Sequence, residues 1–346
     1  MRRREILAGC AALVAALGLL AAAGSARGEP AGDLVPVPDG AALTPAEVLQ
    51  LAAIARAAHP AVYREIELRM LPRETEAVSR RVFWLPPDAL RVEEEDARGR
   101  RVAVWNGVER WYFDSRFPYV LHVRVPGRMP PPPPRLPAAH PDDACSLTET
   151  WGPGGHMYVV EHPRRHGRSV YWIDGEHFFP WKEEHYGPGR ELLGVVVRSD
   201  LDMNPALTRD RFRFEVPPGA EVLEDPRVWR ARVILHGLAG QVPFPPAEPG
   251  YVPSGYSLAG GGPTRIEGEP ALHLRFSDGR RLLSLFQVPR DGLPEARPGW
   301  RRVTDARGEE VLVLTAVRDG FVFLVVGDLA PGDAQRMVDT LKLAGD

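Results

Sequence analysis

The first clear hydrophobic pattern in the chain has the period of an α-helix. Thr44-Pro45-Ala46-Glu47 places a capping threonine three residues before a glutamate, with a proline at the first helical position. Apolar residues then recur on one side at Val48, Leu51, Ala52 and Ala55. The pattern predicts a helix from residue 45 to about His59, which Pro60 ends.

Beyond this helix the pattern changes to short runs that are typical of β-strands, at 62–71, 77–84 and 90–95. Asn106-Gly107 then separates two further runs, 101–105 and 108–113. An Asn-Gly pair between such runs predicts a hairpin with a two-residue type I′ turn. That turn would pair Val104 with Glu109 and Val102 with Trp111.

The predicted hairpin has one apolar face and one more polar face. The apolar face carries Val102, Val104, Trp111 and Phe113. The other carries Arg101, Ala103, Trp105, Arg110 and Tyr112. An apolar face of this kind is either packed as core or lines an apolar concavity. The pattern favours a packed core, and the alternative, a ligand-binding concavity, makes these four apolar residues the candidate ligand-binding residues.

Proline-rich segments divide the rest of the chain. Pro130–Pro134 is a polyproline run, which predicts either an exposed rigid loop or a segment that covers or docks. Asp225-Pro226 opens a helix to about Gly237, and the Pro-rich segment 242–253 that follows predicts a linker. Beyond it, Ser277–Arg280 and Asp319-Gly320 are turns between strand-like runs, and Pro331 opens a last helix. Hairpins with a terminal helix predict a small α+β domain.

The N-terminus predicts export. Arg2, Arg3 and Arg4 precede an almost uncharged apolar run from Ile6 to Gly24, and small residues follow, which is the layout of a secretory signal. The run is also long enough for an uncleaved membrane anchor. Cys10 lies before most of the apolar run, whereas a lipid-modified cysteine should follow it.

Composition narrows the class of protein further. Without the signal, Cys145 is the only thiol, so an exported chain has no intrachain disulfide and depends on core burial for stability. The net charge of −3 gives no case for nucleic acid. Only Lys182 and Lys342 are lysines, so the many arginines reflect a compositional bias and are weak evidence for phosphate binding.

Motifs spread over the chain resemble one family. Asp174-Gly175 is followed by Pro180, Lys182, Glu184 and Tyr186, and then by Phe212, Phe214, Pro217, Gly219 and Ala220. This order resembles the last hairpins of the LolA-like half-barrel. The later motifs are Pro253-Ser-Gly-Tyr256, Leu274 to Gly279, Leu283 to Phe286 and Leu324 to Leu329. They resemble the small C-terminal domain of the MucB/RseB-type regulators of sigma factors, so the resemblance covers nearly the whole exported chain in the right order.

The resemblance implies an α+β fold: a LolA-like antiparallel half-barrel covered by helices on its concave side, followed by a small α+β domain. The expected divisions are a signal peptide or anchor at 1–28, a linker at 29–43, the half-barrel at 44–225, a helix and Pro-rich linker at 226–253, and the C-terminal domain at 254–346. The resemblance also implies a lipid, acyl-chain or lipoprotein ligand. The expected partner is the extracytoplasmic part of an anti-sigma factor, with membrane association through that partner or an N-terminal anchor.

Few residues in the sequence are candidates for a catalytic or metal-binding site. Five histidines fall close together, at His156, His162, His166, His177 and His185. The spacing of His162 and His166 suits a metal only on a helix, and Pro163 argues against a helix there. Ser257 lies in Gly255-Tyr-Ser-Leu-Ala259, which lacks the strand and helix that flank a nucleophile elbow. We therefore expect no catalytic residue, no metal site and no cofactor.

The sequence thus predicts a non-enzymatic binding protein outside the cytoplasm, in the periplasm or at the cell-envelope face. A regulator of an envelope-stress pathway is the first interpretation. A lipid or lipoprotein carrier or sensor without a sigma-factor link is the second. A structural envelope protein that binds no small ligand is the third, and a filled, dry half-barrel core would support it.

Overall fold

The computed structural model describes residues 43–125, 136–137, 144–152, 155–304, 308 and 310–343. The predicted signal, nearly all of the linker 29–43 and the polyproline run therefore lie outside the described residues. The described chain divides into two compact units. The first comprises residues up to 116 together with 122–218, and the second comprises 117–121 together with 219–346.

The first unit begins with the predicted helix, α1 (Pro45–Ala58). The Thr44 hydroxyl accepts a hydrogen bond from the Glu47 amide, and the Glu47 carboxylate accepts one from the Thr44 amide, so the predicted capping box is confirmed. The helix turns Val48, Leu49 and Ala52 onto a sheet, where they pack against Val160, Tyr171 and Ile173, among others.

Strands dominate the rest of this unit. They are β1 (Ala61–Met70), β2 (Thr75–Leu85), β3 (Ala89–Asp96), β4 (Gly99–Asn106), β5 (Glu109–Asp114), β6 (Tyr119–Arg124), β7 (Ser146–Gly152), β8 (Gly155–Arg164), β9 (Gly167–Asp174), β10 (Pro180–Tyr186) and β11 (Leu192–Asp202). A 3₁₀ turn at Arg209–Phe212 follows, while the short strand β12 (Glu221–Leu223) and residues 119–121 of β6 belong to the second unit.

These strands form one open sheet in the order β12-β6-β5-β4-β3-β2-β1-β11-β10-β9-β8-β7. Strands adjacent in this order are consecutive in the chain except for β1 beside β11 and β12 beside β6, and the pairs from β5 through β1 and β11 to β7 are antiparallel. The pairing of β1 with β11 joins the two ends of the unit, while β12 pairs in parallel with residues 119–121 of β6. The mostly β architecture with an open sheet agrees with the predicted fold class in its coarse outline.

The predicted register of the Asn106-Gly107 hairpin is wrong by two residues. The structure pairs Trp105 with Arg110, Val104 with Trp111 and Val102 with Phe113. The loop is therefore longer than a two-residue turn, because the Asn106 side chain bends back and its Oδ1 accepts the Glu109 amide at 3.1 Å. A shift of two preserves the side-chain alternation, so the four apolar residues still share one face.

The second unit is a six-stranded antiparallel sheet with two α-helices. Its elements are α2 (Pro226–Leu238), β13 (Ala247–Pro249), β14 (Ser257–Ile266), β15 (Glu269–Ser277), β16 (Leu282–Pro289), β17 (Gly299–Thr304), β18 (Glu310–Arg318), β19 (Phe321–Gly327), α3 (Pro331–Asp339) and β20 (Leu341–Leu343). The sheet order is β14-β15-β16-β19-β18-β17, and β13 pairs with β20. Leu272, Leu283, Phe323, Val325 and Met337 are nearly inaccessible at the centre of its core.

The segment 226–253, predicted as a helix and linker, is part of this core. Leu235 and Leu238 of α2 are buried with Val242 and Ala247, and the Ala247 amide donates to the Gln287 side chain at 2.8 Å. Burial of these side chains ties the segment to the six-stranded sheet, because each apolar side chain removed from water contributes about 1.5–3 kcal/mol. No helix in the described part of the chain is long and apolar enough to cross a bilayer.

Candidate functional site

The sheet of the first unit has two faces of different chemistry. α1 packs on one of them, which we call the helix-covered face, and Tyr63, Glu65 and Glu183 point to it. The opposite face carries the alternate residues of the same strands, among them Ile66 and Trp172. Because successive side chains of a strand point to opposite faces, the charged and the apolar residues named above lie on opposite faces of the sheet.

A buried ion pair lies on the helix-covered face. Arg198 of β11 donates to Glu183 of β10 at 2.6 Å, to Glu65 of β1 at 3.0 Å and to the Pro180 carbonyl at 2.9 Å. Burial alone would favour the neutral guanidine, but Glu183 and Glu65 outweigh it and raise the pKa of Arg198. Pairing with the two carboxylates therefore keeps the Arg198 guanidinium charged although it is buried.

The charges continue across the neighbouring strands as a ladder. Arg80 of β2 contacts Glu65 at 3.0 Å, Glu67 at 2.8 Å and Glu94 of β3 at 3.3 Å. Glu94 in turn contacts Arg101 of β4. Opposite charges on adjacent strands fix the register of β11, β1, β2, β3 and β4 on this face.

Two further polar groups lie beside Arg198. The Tyr63 hydroxyl is buried and has no hydrogen-bond partner among the described residues, and burial raises its pKa. Arg56 of α1 donates to the Ala52 carbonyl at 3.0 Å, while its own carbonyl accepts the Trp84 indole at 2.7 Å. Burial, then the charge of Arg198, lowers the pKa of Arg56 to about 10. On this face the polar groups lie beside the apolar clusters that contain Val48 and Tyr63.

The opposite face presents an apolar row across five adjacent strands. Its members are cross-strand partners in sequence: Ile66 of β1, Val197 of β11, Lys182 of β10, Trp172 of β9 and Val159 of β8. All five side chains are half-buried and belong to none of the buried clusters. Leu68 and Val195 form a second pair beside them. The only α-helix described in the first unit packs on the other face.

Lys182 and Trp172 form the polar part of this row. The Lys182 ammonium lies 5.1 Å from the centre of the Trp172 ring and pairs with Glu184 at 2.6 Å. The Trp172 indole N–H is buried and has no partner among the described residues. The row therefore combines apolar area with one free donor.

The four residues predicted to bind a ligand occupy the same face further along the sheet. Val102 and Val104 are almost fully buried beneath Phe83 and Phe212. Trp111 stacks on His122 at 3.9 Å and on Phe214 at 5.3 Å, and the Phe113 ring lies 6.4 Å from that of Phe214. These residues are packed under the segment 207–214, which is the alternative that the sequence left open.

The five candidate histidines do not converge on one site. They lie on β8, β10 and the turns beside β9, and no group of three metal-ligating side chains occurs in the described residues. His177 contacts Asp174 at 3.1 Å, which raises the pKa of His177. His185 contacts Ser169 at 2.9 Å, and burial lowers its pKa. Ser169 is fully buried, whereas the His185 side chain is 38% exposed.

Sequence reasoning missed the apolar row although a signal was present. Glu65-Ile66-Glu67-Leu68 alternates strictly between charged and apolar residues, which indicates two faces of opposite character. What the alternation could not reveal is the strand order. Only the pairing of β1 with β11, far apart in the chain, brings Ile66 beside Val197.

No protein-family profile and no curated protein matches the chain. Among solved structures it is similar to MucB in complex with MucA(peri), with 16% identity, coverage of 88% of this chain and 100% of that chain, and a TM-score of 0.36. A MucA/MucB complex from Pseudomonas aeruginosa matches with 16% identity, 87% and 99% coverage, and a TM-score of 0.37. A LolA superfamily protein from Nitrosomonas europaea matches with 15% identity over 50% of this chain and 99% of that chain, at a TM-score of 0.25.

The resemblance to MucB/RseB-type regulators and to LolA-like proteins, stated from the sequence, thus recurs among solved structures.

Proposed function

We propose that this protein is a non-enzymatic, extracytoplasmic binding protein that senses a lipid, acyl chain or lipoprotein segment through the apolar row. The observation that carries the proposal is the row itself, Ile66, Val197, Trp172 and Val159, which no described helix of its unit covers. The basic and apolar N-terminal segment supports export to the periplasm or the cell-envelope face.

The dimensions of the row suit an extended chain. Five adjacent strands at about 4.8 Å spacing span about 19 Å, which accommodates an acyl chain lying across the strands. Each methylene group removed from water contributes about 0.8 kcal/mol. The Lys182 ammonium, which pairs with Glu184 at 2.6 Å, offers a donor to the polar end of such a ligand. On the opposite face α1 packs against the sheet, and Arg198 is buried and paired with Glu183 and Glu65.

The second part of the proposal concerns the regulation of a partner protein by the ligand. The sequence resemblance supports a partner that is the extracytoplasmic part of an anti-sigma factor, and MucB itself was solved with MucA(peri). A ligand switches such a complex only if it binds the partner-free and partner-bound states with different affinity. We propose that ligand on the apolar row weakens the hold on the partner.

Binding of a fluorescent fatty acid to the delipidated protein tests the ligand site. Trp172→Ala should raise the Kd about tenfold or more, because burial of a large apolar side chain contributes about 1.5–3 kcal/mol and 1.4 kcal/mol is a factor of ten. Trp111→Ala is the matched control and should leave the Kd within about twofold. The reverse result would place the ligand at the four residues predicted from the sequence, and loss of binding in neither variant would exclude both surfaces.

A second experiment tests regulation. The tagged protein should recover a single-span anti-sigma factor from membranes of the source cells, and added fatty acid should release it. Normal fatty-acid binding without such a partner would favour the lipid or lipoprotein carrier instead.

A further inference from the structure

The two edges of the six-stranded sheet in the second unit are built differently. β14 at one edge contains Pro263, has an irregular register between Leu258 and Gly260, and lies against α2. Such features keep an edge from pairing with another chain. β17 at the other edge pairs with β18 without a register shift and contains no proline. No described strand pairs with its outer side.

The face of the sheet that carries the core continues onto β17, where Trp300 and Arg302 are exposed. Trp300 is the cross-strand partner of Leu314, and Arg302 is that of Leu312; both leucines are buried in the core. Trp300 nevertheless remains 60% exposed. A strand added beside β17 would bury this ring against its own alternate side chains.

The charge of β17 favours one kind of occupant. Arg301 and Arg302 point to opposite faces, and both are exposed. The nearest carboxylate recorded for Arg302 is that of Glu310, at 4.0 Å and also exposed, which is a weak pair. A second copy of this chain paired across the same edge would bring like charges together, which is destabilising. An acidic segment would meet complementary charge on both faces.

We propose that the outer edge of β17 binds an extended, acidic segment of the partner by strand addition. The backbone groups of the edge provide affinity, and Trp300, Arg301 and Arg302 select the side chains. The inference rests on the proposed binding of an extracytoplasmic partner and names the chemistry that recognises it.

Synthetic ten-residue peptides and the full chain test this directly. One peptide alternates valine or threonine with glutamate, a second replaces glutamate by lysine, and a third is the acidic peptide N-methylated at alternate residues. Calorimetry should show binding of the acidic peptide, with slower amide exchange in residues 299–304. The lysine and N-methylated peptides should bind at least about tenfold more weakly, because one loses charge complementarity and the other loses backbone donors.

Variants of the protein provide the matched controls. Arg301→Glu with Arg302→Glu, and separately Trp300→Thr, should weaken the acidic peptide about tenfold. Arg280→Glu and Leu282→Thr change an exposed arginine and an exposed apolar side chain elsewhere in the unit, and should leave binding within about twofold.

Three outcomes would overturn the inference: no binding of the acidic peptide at millimolar concentration, equal binding of the N-methylated peptide, or equal loss in the control variants. A dimer in sedimentation that Trp300→Thr dissolves would also overturn it, in favour of a second copy at this edge. Fatty-acid binding by the same preparation separates these failures from failure of the proposed ligand site.

Discussion

Arg198 and Glu183 form an ion pair of 2.6 Å between β11 and β10, in which both side chains are almost fully buried. Glu65 contacts Arg198 from the other side at 3.0 Å. Because β1 and β11 come from opposite ends of the first unit, this group of charges joins segments that are more than a hundred residues apart.

Removal of the guanidinium should therefore destabilise the protein strongly. Arg198→Met leaves Glu183 buried without its partner, and we expect a loss of about 3–5 kcal/mol in the free energy of unfolding, measured by urea titration. Arg64→Met removes an exposed pair with Asp200 at 3.8 Å and should cost less than about 1 kcal/mol. Equal losses in the two variants would contradict a structural role for the buried pair.

The hydroxyl of Tyr63 should be dispensable. It is buried without a hydrogen-bond partner among the described residues, so Tyr63→Phe removes an uncompensated polar group and should stabilise the fold by about 1 kcal/mol. Tyr171→Phe is the control, because the Tyr171 hydroxyl accepts from Arg164, and its loss should destabilise the fold. Destabilisation by Tyr63→Phe would indicate a partner for that hydroxyl, such as bound water.

A side chain at position 107 should destabilise the Asn106-Gly107 loop. Gly107 has φ +100°, and a Cβ there would collide with the carboxylate of Asp88. Gly268 has a similar φ, +91°, but open space around it. We expect both Gly107→Ala and Gly268→Ala to lose stability through backbone strain. Gly107→Ala should lose about 1 kcal/mol more because of the collision with Asp88.

A double-mutant cycle tests whether the Asp88 carboxylate causes this additional loss of stability. Gly107→Ala measured in an Asp88→Ala background should recover the additional loss, since the colliding carboxylate is gone. If the additional loss of stability persists without Asp88, its cause lies elsewhere in the loop.

Two histidines should give opposite pH dependence of stability. Burial lowers the pKa of His185 below its ordinary 6.5, so its contribution is present above pH 6.5 and is lost as the pH falls through its lower folded pKa. The hydrogen bond to Asp174 raises the pKa of His177, so its contribution is present below pH 6.5 and is lost as the pH rises through its higher folded pKa. Urea titrations from pH 5 to 8 should show that His185→Gln reduces the acid-side loss and His177→Gln the alkaline-side loss.

Local features of the fold were largely predictable. The capping box of α1 and the start of α3 at Pro331 depend on residues within one helical turn, and both are as predicted. Asp319-Gly320 forms a true two-residue hairpin turn, with φ values of +50° and +78°. Asn106-Gly107 has the same signature but forms a longer loop, because the Asn106 side chain bonds to the Glu109 amide. Turn signatures thus locate a hairpin more reliably than they set its register.

The candidate site was less predictable. Val102, Val104, Trp111 and Phe113 share a face as expected, since alternation along two adjacent strands determines it. Whether that face is open depends on Phe212 and Phe214, which arrive from a hundred residues later in the chain and cover it. No local pattern encodes that contact.

The sequence by itself therefore determined the capping box of α1, the position of the hairpin turns and which side chains share a face. Those properties follow from spacing along the chain and from residue type. The tertiary structure decided which face is covered, because coverage depends on the order of strands and on contacts between distant segments. It placed Ile66 beside Val197 and Trp172 in an apolar row, and buried Arg198 against Glu183 on the other face of the same strands.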